Sequence, residues 1–195
     1  MVAHSIDKSG DLLIVCGLSG SGKSTLARHA LQVFPQELKY MNTLTTRPRR
    51  QGEDDGEYTF VDMETYNKRK AVANRWDESL VYGNYYGLNP DDYIAQLEQG
   101  ANFIVCSVLS GEVIREMTDI YGKYLKSIHI KTPPKISAER LRQRNIASDM
   151  SRVAFDAMIT REGFTADFSF DPSGKLEIDK ANFAALIERI IHDKK

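Results

Sequence analysis

The hydropathy pattern opens on a strand. Residues 11–16 (Asp-Leu-Leu-Ile-Val-Cys) form a continuous apolar run, the pattern of a strand buried on both faces. A glycine-rich turn follows. Leu26, Ala27, Ala30 and Leu31 then recur at helical spacing over 24–33, and Phe34-Pro35 stops that helix. Further buried strands are expected at 102–108 and 124–130, and a short one at 80–82. Helices are expected at 63–74, at 91–99 with Gly100 closing it, and at 111–119. A charged helical stretch begins at 137 and runs, with a break, to 161. The turn Asp171-Pro172-Ser173-Gly174 lies within 168–179. Residues 180–192 form a final amphipathic helix with Phe183, Leu186, Ile187, Ile190 and Ile191 inward. Residues 41–62 break this rhythm. They are rich in Thr, Arg and Gly, and alternate only near Tyr58-Thr59-Phe60-Val61, which predicts short strands and loops.

Apolar strands alternating with helices predict an α/β fold, a parallel sheet covered by helices on both faces. The polar block over 41–90 is too long for a simple connection and reads as a substrate-binding insert. The 195 residues suit one domain. Charged residues make up 27% of the chain and the formal net charge is −1, so nothing draws it generally to nucleic acid or to acidic membranes. Anion binding must come from local arrangement. Cys16 and Cys106 both sit in apolar runs, which predicts buried thiols rather than a disulfide. No apolar run approaches the roughly 20 residues that span a bilayer, and the N-terminus lacks a signal-peptide stretch. A cytoplasmic location is the expectation.

The segment Gly17-Leu-Ser-Gly-Ser-Gly22-Lys23-Ser24 matches G-x-x-x-x-G-K-[ST] between a predicted strand and a predicted helix. Glycines let successive backbone N–H groups turn toward phosphate oxygens, and the helix N-terminus adds free donors and a favourable dipole. Gly17, Leu18, Ser19, Gly20, Ser21, Gly22, Lys23, Ser24 and Thr25 are therefore the expected ATP-binding residues. Lys23 would bring a point charge to the β- and γ-phosphates, and the Ser24 hydroxyl would coordinate Mg²⁺. The loop identifies a donor but not a reaction.

Thr43-Leu-Thr-Thr-Arg47-Pro-Arg-Arg50-Gln-Gly-Glu53 places three arginines within four residues, and arginine's planar fork suits phosphate. Pro48 disfavours helix. We expect Arg47 and Arg49 to face one ligand only if the chain turns between them. Further on, Tyr82-Gly-Asn-Tyr-Tyr86-Gly87 offers phenol donors with rings that could line a base pocket.

In combination these segments resemble the guanylate kinase family over about residues 11–145. The resemblance implies a nucleoside monophosphate kinase fold in a single domain, with a core at about 11–40 and 91–195. It adds an acceptor-binding insert at about 41–90 and a lid at about 140–162. It implies Mg-ATP as donor and GMP as acceptor. Arg47 and Arg50 resemble the family's acceptor-phosphate arginines, and Tyr58 and Tyr86 its phosphate-binding tyrosines. Glu53 and Thr43 match positions near the nucleotide, with Thr43 in place of the usual serine. Asp77 falls near a glutamate that reads guanine, in a stretch (Trp76-Asp77-Glu78) where the alignment can slip by one. Arg140 and Arg144, four apart on one helix face, resemble catalytic lid arginines together with Arg142, and Arg152 and Arg161 are further candidates. The resemblance thus implies ATP and a small phosphorylated acceptor as partners.

Two positions depart from the family. The strand at 105–111 (Val-Cys-Ser-Val-Leu-Ser-Gly) lacks the family's acidic pair, and Leu88 stands where a Ser or Thr contacts the base. Two alternatives therefore stay open. One is a sugar-phosphate kinase resembling ribose 1,5-bisphosphate phosphokinase, which also lacks the acidic pair and shares the Asp171-Pro-Ser-Gly-Lys-Leu segment. The other is a non-catalytic guanylate kinase-like binding module.

Overall fold

A computed structural model describes residues 9–49, 56–81, 83–107, 111–143 and 165–192. Strand β1 (Leu12–Cys16) is buried throughout, and its alternation splits it between two layers. Leu13 and Val15 join an apolar cluster with Leu26, Ala27, Phe183 and Ile187. Leu12, Ile14 and Cys16 join another with Leu97, Phe103, Met117 and Tyr121. Helices must therefore cover both faces. On the first lie α1 (Lys23–Val33) and the last helix, α6 (Leu176–His192). On the second lie α3 (Asp91–Glu98) and α4 (Gly111–Tyr121). The core sheet is parallel. Its order is β2 (Leu38–Tyr40), β7 (Asn102–Ser107), β1, β8 (Leu125–Ile130), β9 (Phe168–Phe170). The expected α/β fold is thus observed. β1 ends between β7 and β8, at the carboxyl edge where such sheets bind ligands.

A second sheet forms within the polar block, in the order β4 (Tyr58–Phe60), β3 (Thr43–Thr45), β6 (Asn84–Leu88), β5 (Asp77–Val81). Between β4 and β5 runs α2 (Met63–Val72), capped by Asp62, whose carboxylate accepts from Thr65 N at 2.7 Å. Of α2 only Tyr66 is buried. Its ring meets those of Trp76 (5.5 Å) and Tyr85 (5.7 Å), and its hydroxyl donates to Glu78 at 3.0 Å. Burying one such ring stabilises by roughly 2–3 kcal/mol, and this is the main anchor of an otherwise polar helix.

The tyrosine-glycine segment forms most of β6. Gly87 permits the strand because a Cβ there would overlap the Tyr66 hydroxyl and the Trp76 ring. β5 begins three residues earlier than expected because it pairs along all of β6. The last helix also begins earlier, at Leu176, because Asp179 secures its first turn. No helix among the described residues is long and apolar enough to cross a membrane.

Candidate active site

The loop from Gly17 to Ser24 leaves the carboxyl end of β1 and runs into α1. Gly20 adopts φ +80°, and a Cβ there would stand 2.5 Å from the Ser137 carbonyl oxygen. Glycine is therefore required for conformation and for space. Lys23 Nζ donates to the carbonyls of Gly17 (2.8 Å) and Leu18 (2.9 Å), folding its ammonium over the loop. Thr132 Oγ1 holds the Ser21 carbonyl at 3.0 Å. From α5 (Pro134–Gln143) Arg140 reaches the same strip, its Nη1 lying 3.3 Å from Ser21 O and 3.5 Å from Gly20 O. Arg142, two positions along and so on another side of the helix, is exposed. Arg144, Arg152 and Arg161 lie outside the described residues.

Beside this loop opens a cavity of about 220 Å³, bounded by Gly22, Thr25, Leu26 and Arg140 on one side and by Pro172 and Leu176 on the other. The sequence marked Asp171-Pro-Ser-Gly as a turn but gave no signal that the fold would bring it to the loop.

The acceptor candidates come together by register. Thr43 pairs with Tyr58, Thr45 with both Phe60 and Tyr86, and Asp77 with Leu88. Paired residues point to one side of a sheet. Thr43, Tyr58, Tyr86 and Asp77 therefore share one face of the insert. Glu78 points to the other, where it accepts from Tyr66, Lys70 (3.0 Å) and Trp76 (3.3 Å). Of the two carboxylates in Trp76-Asp77-Glu78, Glu78 is tied to the α2 side and Asp77 lies on the face of Tyr58 and Tyr86. Burial raises the Asp77 pKa, against the Glu78 backbone N–H and the nearby Arg75, which lower it.

Arg47 is set by its neighbours. Thr45 Oγ1 donates to Tyr85 O (2.9 Å) and accepts from Arg47 N (3.2 Å), while Thr46 Oγ1 accepts from Tyr85 N (2.9 Å). The two threonines thus bind the segment to β6, a positioning role that the sequence did not suggest. Arg47 is only 7% exposed, and its guanidinium lies 5.3 Å from the Tyr58 ring and 5.1 Å from the Phe60 ring. Arg49 also lies over Phe60, at 4.7 Å, and so joins Arg47 on one ring. The expectation of divergence misassigned the alternation, since residues two apart in an extended chain share a side. Arg50 and Glu53 lie outside the described residues. The Tyr58 and Tyr86 rings meet edge to face at 5.9 Å. Burial, then Glu57, Cys106 and Tyr86, raise the Tyr58 pKa well above its ordinary value. Its phenol is therefore a proton-bearing donor at neutral pH.

Cys106 on β7 occupies the seam between the halves. It aligns with Val15, whereas Cys16 aligns with Ser107, so the two thiols lie on opposite faces of the sheet and both are free. Burial, and next Glu57, raise the Cys106 pKa, while Lys23 and a hydrogen bond with Ser24 act the other way. A neutral thiol is a poor ligand for a hard cation. Among the described residues no group of three or more His, Cys, Asp or Glu side chains could hold a metal. Ser24, the hydroxyl expected to coordinate Mg²⁺, is the second residue of α1.

Comparison with known proteins bears on the family and the fold. A family model described as guanylate kinase matches residues 9–172. A guanylate kinase from a Nostoc species is 33% identical over 184 residues, covering 93% of this chain and 88% of that protein. One from Symbiobacterium thermophilum is 31% identical over 169 residues, covering 82% and 76%. Among solved structures, guanylate kinase from Anaplasma phagocytophilum superposes with a TM-score of 0.68 at 21% identity, covering 96% of this chain and 89% of that one. A gluconokinase from Sinorhizobium meliloti superposes at 0.54 with 14% identity, covering 95% of each, a likeness of fold alone.

Proposed function

The chain belongs to the guanylate kinase family, and from that premise we propose how its two anion sites carry out one transfer. It is an ATP-dependent phosphotransferase that converts ATP and GMP to ADP and GDP. The observation that supports the residue assignment best is the single insert face shared by Thr43, Tyr58, Tyr86 and Asp77, with Arg47 packed on Tyr58.

In this reading the loop N–H groups and Lys23 hold the β- and γ-phosphates of ATP. Arg47, Tyr58 and Tyr86 hold the 5′-phosphate of GMP, joined by Arg50. An oxygen of that phosphate attacks the γ-phosphorus, the bond to the β-phosphate oxygen breaks, and ADP leaves. Such transfer rests on positioning and charge neutralisation rather than covalent chemistry. Arginines between the two anions offset their repulsion, which is the role of Arg140 and, with it, Arg144. Mg²⁺, when bound with ATP, neutralises charge on the β- and γ-oxygens, and Ser24 is the side chain that would hold it. Asp77, ionised, accepts from the adjacent N1–H and N2–H donors of guanine. Glu53 and Thr43 contact the nucleotide beside it. Residues 41–90 act as the acceptor insert and about 140–162 as the lid. The sugar-phosphate kinase and the non-catalytic module are not favoured, since the donor loop is intact and the named relatives are guanylate kinases.

The test offers ATP with GMP, dGMP, AMP, UMP or ribose 1,5-bisphosphate and follows ADP release. GMP is expected to stimulate it most. Stimulation by ribose 1,5-bisphosphate and not by GMP would replace this reading with the sugar-phosphate one.

A further inference from the structure

Tyr121 ends α4 and is only 2% exposed. It joins Met41, Leu88 and Met117 in the apolar cluster on the second face of the core sheet. Its hydroxyl, however, is shut off from solvent and has no hydrogen-bond partner among the described residues. Such a group costs stability, and native proteins keep few of them. Four polar residues act on this hydroxyl: Asp77, Tyr93, Arg75 and Asp91. Three of them are committed elsewhere. Tyr93 donates to Asn42 O at 2.7 Å, and Arg75 forms an ion pair with Asp91 at 3.2 Å. Asp77 is different. It accepts from the Glu78 backbone N–H and feels the Arg75 charge, but among the described residues no side chain donates to it. Register brings it to the tyrosine. Asp77 pairs with Leu88, so both point to one face of the insert sheet, and Leu88 is the insert residue that packs in the Tyr121 cluster. Burial, and next the Asp77 charge, raise the Tyr121 pKa, so the phenol keeps its proton at neutral pH. A buried donor without an acceptor thus stands beside a carboxylate without a side-chain donor.

We propose that Tyr121 is a positioning residue for guanine reading: once the acceptor base is bound, its O–H donates to the Asp77 carboxylate and holds that carboxylate edge-on to the N1–H and N2–H donors. This rests on the assignment of Asp77 to the base. A carboxylate has lone pairs enough for the base and for one further donor. Asp77 belongs to the insert and Tyr121 to the core, so bringing the acceptor to the donor loop sets the distance between them. Leu88 offers the base no hydroxyl, which leaves the orientation of Asp77 to decide more of the recognition.

Tyr121→Phe keeps the ring and removes only the oxygen without a partner. The experiment measures, by calorimetry on the full chain, the affinities for GMP, for IMP (whose base lacks the N2 amine) and for ATP, together with the Tm of the ligand-free protein. Tyr121→Phe is expected to weaken GMP by roughly tenfold, the scale of one charge-assisted hydrogen bond. IMP should weaken less, so that the preference for GMP falls by about threefold, and ATP should stay within about twofold. The Tm should stay level or rise, because the ligand-free chain loses no bond. A purely structural hydroxyl would do the reverse, lowering Tm and leaving the preference intact. In an Asp77→Ala background the same substitution should change GMP affinity by less than about twofold, since its effect passes through that carboxylate. Unchanged GMP affinity in Tyr121→Phe, a Tm clearly below wild type, or an undiminished loss in the Asp77→Ala background overturns the proposal alone. GMP affinity unaltered by Asp77→Ala itself removes the assignment of Asp77 to the base, and the proposal with it.

Discussion

In the proposed reading, phosphate on the core sheet is met by backbone. Gly20 and Gly22 take positive φ, the N–H groups of one short loop converge, and a single lysine folds over them. On the insert, the same reading has phosphate met by side chains drawn from separate segments. Arg47 follows β3, Tyr58 opens β4, and Tyr86 lies in β6, and they converge only when the strands pair in register. The first arrangement tolerates change in most side chains but not in its glycines. The second depends on pairing, and on residues such as Thr45 and Thr46 that touch no substrate. A loop of backbone donors recognises any triphosphate. A face of side chains can be rebuilt for a different acceptor while its strands stay paired.

The largest expected effect tests the donor half. Lys23→Ala should lower kcat by on the order of 10³-fold or more, the scale seen when a group that stabilises transition-state charge is removed. The circular dichroism spectrum should be unchanged, because the Lys23 ammonium bonds to carbonyls of its own loop rather than bridging helices or strands of the core. Near-normal kcat would refute the donor assignment. On the insert, Arg47→Ala should raise the GMP KM and lower kcat, reducing kcat/KM by roughly 10²-fold, with ATP affinity unaltered. Arg47→Lys should restore little, since the flat guanidinium is what packs on Tyr58 and Phe60. A change confined to ATP affinity would undo the contrast between the halves.

A smaller effect, of about tenfold, is expected from pH. Burial raises the Asp77 pKa, so Asp77 takes up its proton at a higher pH than an ordinary aspartate. The protonated form cannot accept from both guanine donors. The GMP KM should therefore rise as pH falls through that raised pKa, before ordinary carboxylates titrate, while the ATP KM stays flat. The same shift has the opposite sign for stability. The native state binds this proton more tightly than the unfolded state, so Asp77 costs stability when ionised, and that cost is relieved as pH falls. Asp77→Asn should remove the acid limb from the GMP KM profile. A profile unchanged by that substitution would assign guanine reading elsewhere.

The same division explains what the sequence could say. The donor loop is contiguous, so its spacing alone announces it, and the continuous apolar run at 11–16 predicts a sheet covered on both sides. The insert is read by register, and a one-residue slip changes the face of every side chain. Asp77 and Glu78 could not be told apart until Tyr66, Lys70 and Trp76 were seen to bind Glu78. In the strand at 84–88 the one glycine, Gly87, gives no strand signal of its own, and the packing of Tyr66 and Trp76 against it explains why it is there. The turn at 171–174 has no sequence signal for its place because it lies some 150 positions from the loop and meets it only through the parallel order of β1, β8 and β9.

The finest test lies at the seam, where Cys106 replaces one of the carboxylates that the family carries. If the metal's outer surroundings are what this chain lacks, Cys106→Asp should lower the Mg²⁺ concentration needed for half-maximal ATP binding by about threefold, read by calorimetry rather than turnover. The new carboxylate would lie close to Lys23 and Ser24, the groups already felt by the Cys106 thiol. Its burial should cost about 1–3 kcal/mol and lower Tm by several degrees. Cys106→Ser keeps the size without the charge and should leave the Mg²⁺ dependence within about twofold of wild type. Equal Mg²⁺ dependence in all three proteins would mean that the seam is indifferent to charge. The metal would then depend only on the nucleotide and Ser24, and the contrast between a backbone-built donor site and a side-chain-built acceptor site would extend to the ion as well.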